Sequence, residues 1–195
     1  MKHYFNPMSR GATTAWMLEE LGAPHEQVII DFAANEQHSD EFRAINPMCK
    51  VPTLVDGDTV VTETAAICAY LADKFIDKGL APPIESTERG RYFRYLFFPG
   101  TTLEPLLAVE SLGVEIANPM SMGFGDKERV MASVEGMTPD AGWVLDAGFS
   151  AADIVFGGTL AFFSGFKMLE PTPKVSAYVE RIMERPAYQK THAGF

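Results

Sequence analysis

Two short stretches carry residues whose types and spacing suit binding chemistry. The first is Asn46-Pro47-Met48-Cys49-Lys50-Val51-Pro52-Thr53-Leu54; after eight intervening residues comes Glu63-Thr64-Ala65-Ala66-Ile67-Cys68-Ala69-Tyr70-Leu71. A proline that enters a strand is costly unless its missing N–H lies at an edge or its peptide bond is cis. A cis Val51-Pro52 bond would turn the Val51 backbone outward and leave its N–H and C=O open. That makes a strand-addition site for a small peptide-like ligand. Glu63 and Thr64 stand where the next helix begins. Amides and the helix dipole there favour a carboxylate, while the Glu63 side chain can take an ammonium. A ligand with a peptide backbone and a free α-amino acid end fits both halves. Taken singly, Thr64 also suits a helix cap, Pro52 a turn and Lys50 a solvated surface. Together, at this spacing, they favour a ligand site.

The elements that must hold these residues follow from pattern and punctuation. Residues 2–5 form a short strand ended by Asn6-Pro7. A helix from Thr13 to Leu21 stops at Gly22. Gln27 to Asp31 is a second strand, and Ser39 to Ile45 a short helix that ends before Asn46-Pro47. Residues 51–55 and 59–62 flank Asp56-Gly57-Asp58 and read as a hairpin. Thr64 to Phe75 is helical, with Ile67, Tyr70, Leu71 and Phe75 on one face. The order is β-α-β-α-β-β-α over residues 1–76, and the first β-α-β unit needs parallel strands. Residues 77–86, DKGLAPPIES, read as a linker. Beyond it strand signals fade, and residues 87–195 read as an all-helical domain. Its pieces lie at 87–96, 103–112, 127–136, from Ser150 onward and at 174–183, the last halting before Arg185-Pro186. Ser150 and Asp153 make a variant capping box and read as structural. Residues 116–124, IANPMSMGF, read as a loop. The fold class is therefore α/β plus all-α.

Composition narrows the partners. The 195 residues are 47% hydrophobic and 22% charged, enough for a packed core. A formal net charge of −10 repels phosphate backbones and anionic lipid, so neither nucleic acid nor a membrane surface is expected as a partner. Two cysteines, Cys49 and Cys68, lack CxxC spacing and fit reduced thiols in a cytoplasm. The N-terminus has no basic stretch with an apolar core, so no signal peptide is expected. No run of about 18 apolar residues suggests a transmembrane helix. The four histidines are scattered, and no metal is expected.

The pattern NPMCKVPTL followed by ETAAICAYL resembles the glutathione site of the cytosolic glutathione S-transferase family, bacterial type. The resemblance extends into FSAADI at 149–154 and YVERIMERPAY at 178–188. It implies an N-terminal thioredoxin-like domain, an all-helical domain, glutathione as co-substrate and a homodimer. Carried over, Val51 would pair with the cysteinyl backbone of glutathione beside Pro52. Glu63 and Thr64 would hold its γ-glutamyl end, and Lys50 would lie near the glycyl carboxylate. The thiolate is the nucleophile in such chemistry. In the family a Tyr, Ser or Cys just after the first strand stabilises it. In Phe5-Asn6-Pro7-Met8-Ser9-Arg10-Gly11-Ala12 the best hydroxyl is Ser9, with Arg10 adding positive charge; Tyr4 lies within the strand. Ungapped comparison with the cysteine-using bacterial classes places Arg10 at their cysteine position, which disfavours a mixed-disulfide mechanism. Met8, Tyr95, Phe98 and Leu103 are the candidates for an electrophile pocket, although an aromatic at helical spacing also suits a core.

The expected function is conjugation of glutathione to an apolar electrophile. Peroxide reduction, isomerisation and dehalogenation use the same thiolate and are not separated from it. Two other readings stand beside this one: a non-enzymatic interaction module of the same fold, and a glutathione-dependent disulfide oxidoreductase. Retention of Lys50, Val51, Pro52, Glu63 and Thr64 together argues for a ligand site over the interaction module.

Overall fold

Alternation sets the first strand, β1 (Lys2–Phe5): His3 and Phe5 are buried and Lys2 is exposed. The computed structural model describes residues 1–193. They fall into two units, Met1–Lys78 with the segment from Arg185 onward, and Gly79–Glu184. In the first unit, α1 (Gly11–Leu21) is buried on nearly every side and ends at Gly22 in the left-handed conformation, φ 59°. Next come β2 (Glu26–Ile29), α2 (Asp40–Ile45) capped by the Ser39 hydroxyl, β3 (Thr53–Asp56), β4 (Thr59–Thr62) and α3 (Thr64–Lys74). The sheet order is β2-β1-β3-β4. β1 and β2 are parallel, as a helical crossover requires, and β1–β3 and β3–β4 are antiparallel. Gly57, at φ 61°, makes the tight turn between β3 and β4.

This is the thioredoxin-like arrangement expected, with small shifts that have physical causes. β3 begins at Thr53, because Pro52 has no N–H to enter the ladder. α9 (Pro186–Thr191) begins at the Arg185-Pro186 stop that the sequence suggests, because proline at the first helical position also starts a helix. α9 lies with the first unit, whereas the sequence placed it in a helical domain reaching 195. Residues 194 and 195 of that expected domain lie outside the described residues. Arg185 Nε and Nη2 donate to the two oxygens of Glu20 at 2.6 and 2.7 Å, and Trp16 Nε1 donates to Glu20 at 2.8 Å. Lys190 pairs with Glu19 at 2.7 Å, and Tyr188 meets Trp16 edge-on at 5.1 Å. These contacts bind α9 to α1.

The second unit is helical among the described residues: α4 (Glu88–Phe98), α5 (Glu104–Ser111), α6 (Lys127–Met137), α7 (Ala151–Gly165) and α8 (Pro173–Met183). Pro99 does not end α4. A widened π-type turn over Pro99–Leu103 absorbs its missing N–H and carries the chain into α5. α7 is the core element, buried at almost every position, and Ile182 of α8 sits close against Gly157. Asp153 at its start is fully buried and accepts hydrogen bonds from Ser150 N (3.0 Å), Val144 N (2.9 Å), Tyr178 OH (2.9 Å) and Ser150 Oγ (3.2 Å). Burial pushes its carboxyl up to about 6 against the pull of those donors. Residues 79–86 of the expected linker belong to this unit, with Leu80 and Ala81 buried and the Leu80 carbonyl accepting from Ala151 N at 2.8 Å, while Asp77 and Lys78 belong to the first. No helix among the described residues is long and apolar enough to cross a membrane.

His3 ties β1 to α1. Thr14 Oγ1 donates to the Gly11 carbonyl at 3.0 Å, so His3 Nε2–H donates to Thr14 Oγ1 at 2.7 Å. Burial, and after it the charge of neighbouring His25, drives the His3 pKa from 6.5 to about 3. As pH falls, the unfolded chain takes up this proton first. The stability is complete above about pH 6.5 and drains as pH falls toward 3. Lowering the pH from about 7 to about 5 should remove about 2 kcal/mol through this group. Urea midpoints of wild type and of His3→Gln at the two pH values measure it. Wild type should lose about 2 kcal/mol relative to this variant, which keeps a donor for Thr14 but does not titrate, while the opposite contribution of the raised Asp153 carboxyl is common to both.

Candidate ligand site at one end of the sheet

Strand register brings the sequence-distant residues together. Tyr4 pairs with Thr53 and Thr53 with Thr62. The C-terminal end of β1, the N-terminal end of β3 and the C-terminal end of β4 therefore share one end of the sheet. Residues 6–10, 50–52 and 63–64 emerge there, all within the first unit. Val51, Pro52, Glu63 and Thr64 are brought to this one end.

Each contributes a different group. The Val51-Pro52 bond is cis, Val51 is half-buried, and among the described residues no hydrogen bond engages the Val51 backbone. Pro52 is buried. Lys50 is exposed, while its carbonyl turns inward to accept from Asn46 Nδ2 at 2.8 Å and Thr53 Oγ1 at 3.1 Å. Glu63 holds φ 68° and ψ 127°, a region other residues avoid, and its side chain does not cap α3. Its exposed carboxylate thus stays open beside the first amides of that helix, with half-buried Thr64 next to it. An open strand backbone, a carboxylate, helix-start amides and a lysine make a set that can hold a short zwitterionic peptide.

The loop after β1 carries Ser9 and Arg10. Ser9 Oγ donates to the Asn6 carbonyl at 2.6 Å and accepts from Gly11 N at 3.0 Å, so here it works as a turn cap. The Arg10 guanidinium turns into the unit, with Nε and Nη1 buried, and its charge acts on Cys68. Burial pushes the Cys68 thiol well up, and Arg10 pulls it only partly back. Tyr4 packs on Phe42 at 5.7 Å, and Met8 is exposed.

The electrophile-pocket set needs correction. Tyr95 and Leu103 are core residues of the helical unit, with 5% and 0% of their surface exposed. Tyr95 OH donates to the Met137 carbonyl at 2.8 Å, and its ring meets Phe156 edge-on at 5.3 Å. Aromatic and aliphatic residues at helical spacing went to the core, and neither lines an open surface. Phe98 is half-buried. An open cleft of about 370 Å³ in this unit is lined instead by Pro119, Met120, Met122, Phe124 and Arg129, among others. The sequence reading also gave no role to Asn6 and Asn46. The signal for them is the tripeptide Asn-Pro-Met at 6–8 and 46–48, next to strands; a third copy at 118–120 lies in the helical unit.

Residues 1–73 match the family model described as glutathione S-transferase, N-terminal domain. Glutathione S-transferase F10 of Arabidopsis thaliana is 31% identical over 196 residues, covering 91% of this chain and 89% of the relative. Among solved structures, a glutathione transferase from Methylococcus capsulatus aligns with TM-score 0.81 and 26% identity, over 98% of this chain and 97% of the other. A sphingomonad glutathione S-transferase complexed with glutathione aligns with TM-score 0.76 and 26% identity, over 99% and 98%.

A side chain at φ 68° is a cost that glycine does not bear. Glu63→Gly should therefore be more stable than Glu63→Ala by about 1 kcal/mol, since both lack the carboxylate and only alanine must hold that conformation. Equilibrium urea unfolding of the two variants gives the difference directly.

Proposed function

Because this chain belongs to the glutathione S-transferase family, we propose that its first unit binds glutathione at this sheet end and activates the thiol for attack on an apolar electrophile. The observation that carries the reading is the convergence of an open Val51 backbone with Glu63 and Thr64 through the Thr53 register. The Val51 N–H and C=O pair with the cysteinyl backbone as an added strand. Glu63 accepts from the γ-glutamyl ammonium, the first amides of α3 take its carboxylate, and Lys50 faces the glycyl carboxylate. The chain acts as a homodimer in a cytoplasm, as the family resemblance implies.

So bound, the ligand's sulfur points to residues 6–10. Ser9 Oγ rotates from the Asn6 carbonyl to donate to the thiolate, whose proton passes to solvent. Arg10 adds positive field from within the unit. Stabilising the thiolate lowers the thiol pKa and raises the fraction of nucleophile near neutral pH. The sulfur lone pair then forms a C–S bond at the electrophilic carbon, and the electron pair leaves with the displaced group or is protonated after addition. Conjugation is the reaction proposed. Peroxide reduction, isomerisation and dehalogenation share its first step.

Titration calorimetry with reduced glutathione tests the binding site. Wild type should bind in the micromolar to millimolar range, and Glu63→Ala should weaken binding by about tenfold or more, about 1.4 kcal/mol. With an activated aryl halide as electrophile, Ser9→Ala should lower kcat while leaving glutathione affinity close to wild type. A folded wild type that gives no binding heat and no protection from thermal unfolding would overturn the reading.

A further inference from the structure

Asn-Pro-Met occurs three times, at 6–8, 46–48 and 118–120, and all three make the same turn, Met120 N donating to Asn118 Oδ1 at 3.2 Å and Ser121 N to the Asn118 carbonyl at 3.1 Å. The two at the sheet, Asn6 and Asn46, add a bond across to a strand margin. In each of these two, the asparagine Oδ1 accepts from the backbone N–H two residues on: Met8 N to Asn6 at 2.9 Å, Met48 N to Asn46 at 3.1 Å. In each, the asparagine carbonyl accepts from the residue three on: Ser9 N at 3.1 Å, Cys49 N at 2.9 Å. In each, Nδ2 reaches across to a carbonyl at the margin of a strand: Ile30 at 2.8 Å beyond β2, and Lys50 at 2.8 Å before β3. One turn is thereby pinned at the end of β1 and the other at the start of β3, the two sides of the site.

We propose that Asn6 and Asn46 are a matched pair of positioning residues, Asn46 aiming the Val51 N–H at glutathione and Asn6 holding the Ser9 hydroxyl where the thiol lies. The proposal rests on the binding reading above. For Asn46 the argument is peptide planarity. The Lys50 carbonyl and the Val51 N–H belong to one trans peptide unit, so they point in opposite directions. Asn46 Nδ2 and Thr53 Oγ1 draw that carbonyl inward, and the Val51 N–H is thereby turned outward, toward the ligand. Asn46 is itself 3% exposed and donates also to Thr53 Oγ1 at 3.1 Å, which fixes its amide plane. Asn6 has the other task. Its carbonyl receives the Ser9 amide, a bond kept when the hydroxyl swings to the thiol, so the bond from its Nδ2 to Ile30 sets the backbone that carries Ser9 Oγ. Neither asparagine touches the sulfur or the electrophile.

The two tasks separate experimentally. Affinity is read by calorimetry, and the pKa of the bound thiol by the thiolate's ultraviolet absorbance as a function of pH. Asn46→Ala should weaken glutathione binding by about tenfold with the bound-thiol pKa close to wild type. Asn6→Ala should leave affinity close to wild type and raise that pKa by about one unit. Asn46→Ser and Asn6→Ser keep a short side-chain acceptor for the turn, lose the cross-strand donor and add no charge. They should reproduce the same split, and they stand in where an alanine variant does not fold. If wild type binds and all folded variants match it, or each moves both readouts together, the pairing is wrong while the binding site stands. If wild type does not bind glutathione at all, the site reading and this inference fall together.

Discussion

Thr53 pairs with Tyr4 on one side and with Thr62 on the other, and its buried hydroxyl lies between Asn46 Nδ2 and the Lys50 carbonyl. Every segment of the candidate site hangs from this residue. Slip β3 by one position and its side chains exchange faces, putting Leu54 outside and Val55 within. The loop before it would no longer meet the end of β4. Register in a sheet with a buried face is strongly specified, and here it does more than pack a core. It brings chain positions more than fifty residues apart to one sheet end.

The energetics divide in a similar way. Most of the first unit is in low-energy conformations, with α1 buried between its partners and ended by a glycine suited to the left-handed turn. The left-handed non-glycine residues there are few: Asn35 at φ 61°, a type that tolerates it, and the less suited Cys49 at φ 56° and Glu63 at φ 68°. Residues of this kind persist only where their surroundings over-determine them. Pairing of β3 with β4 and the first turn of α3 hold Glu63 from both sides, and the Asn46 network holds the loop that contains Cys49. The same rigidity that imposes the strain keeps the Val51 backbone and the Glu63 carboxylate from relaxing into bonds with one another. Their hydrogen-bonding capacity stays directed outward.

Much of this was legible in the chain. The βαβ unit, the hairpin and α3 followed from periodicity and from glycine and proline positions, because local rules dominate there. Pro52 was read correctly as unusual within a strand signal. The fate of individual polar groups was less legible. Ser9 sits where a thiolate donor is wanted, yet its hydroxyl has a nearer acceptor in Asn6 O. Arg10 reads as positive charge beside the sulfur, but its Nε and Nη1 are buried and its charge acts on Cys68. Tyr95 and Leu103 have the apolar character of a pocket and the spacing of a core, and only packing distinguishes the two. Pro186 illustrates a different ambiguity, since the same residue closes one helix and opens another.

The attachment of α9 to α1 has a consequence for the order of events during synthesis. The first unit is discontinuous in the chain: residues from Arg185 onward belong to it, and all of Gly79–Glu184 intervenes. A ribosome has therefore made the whole sheet, and then the entire helical unit, before Glu20 can meet Arg185. Until then Trp16 lacks the ring of Tyr188, and the nascent first unit exposes the apolar face it will later hide. Translation as far as Glu184 leaves the thioredoxin-like unit unfinished, so a chaperone that shields this helix surface has work to do even though all four strands of the sheet have already been made.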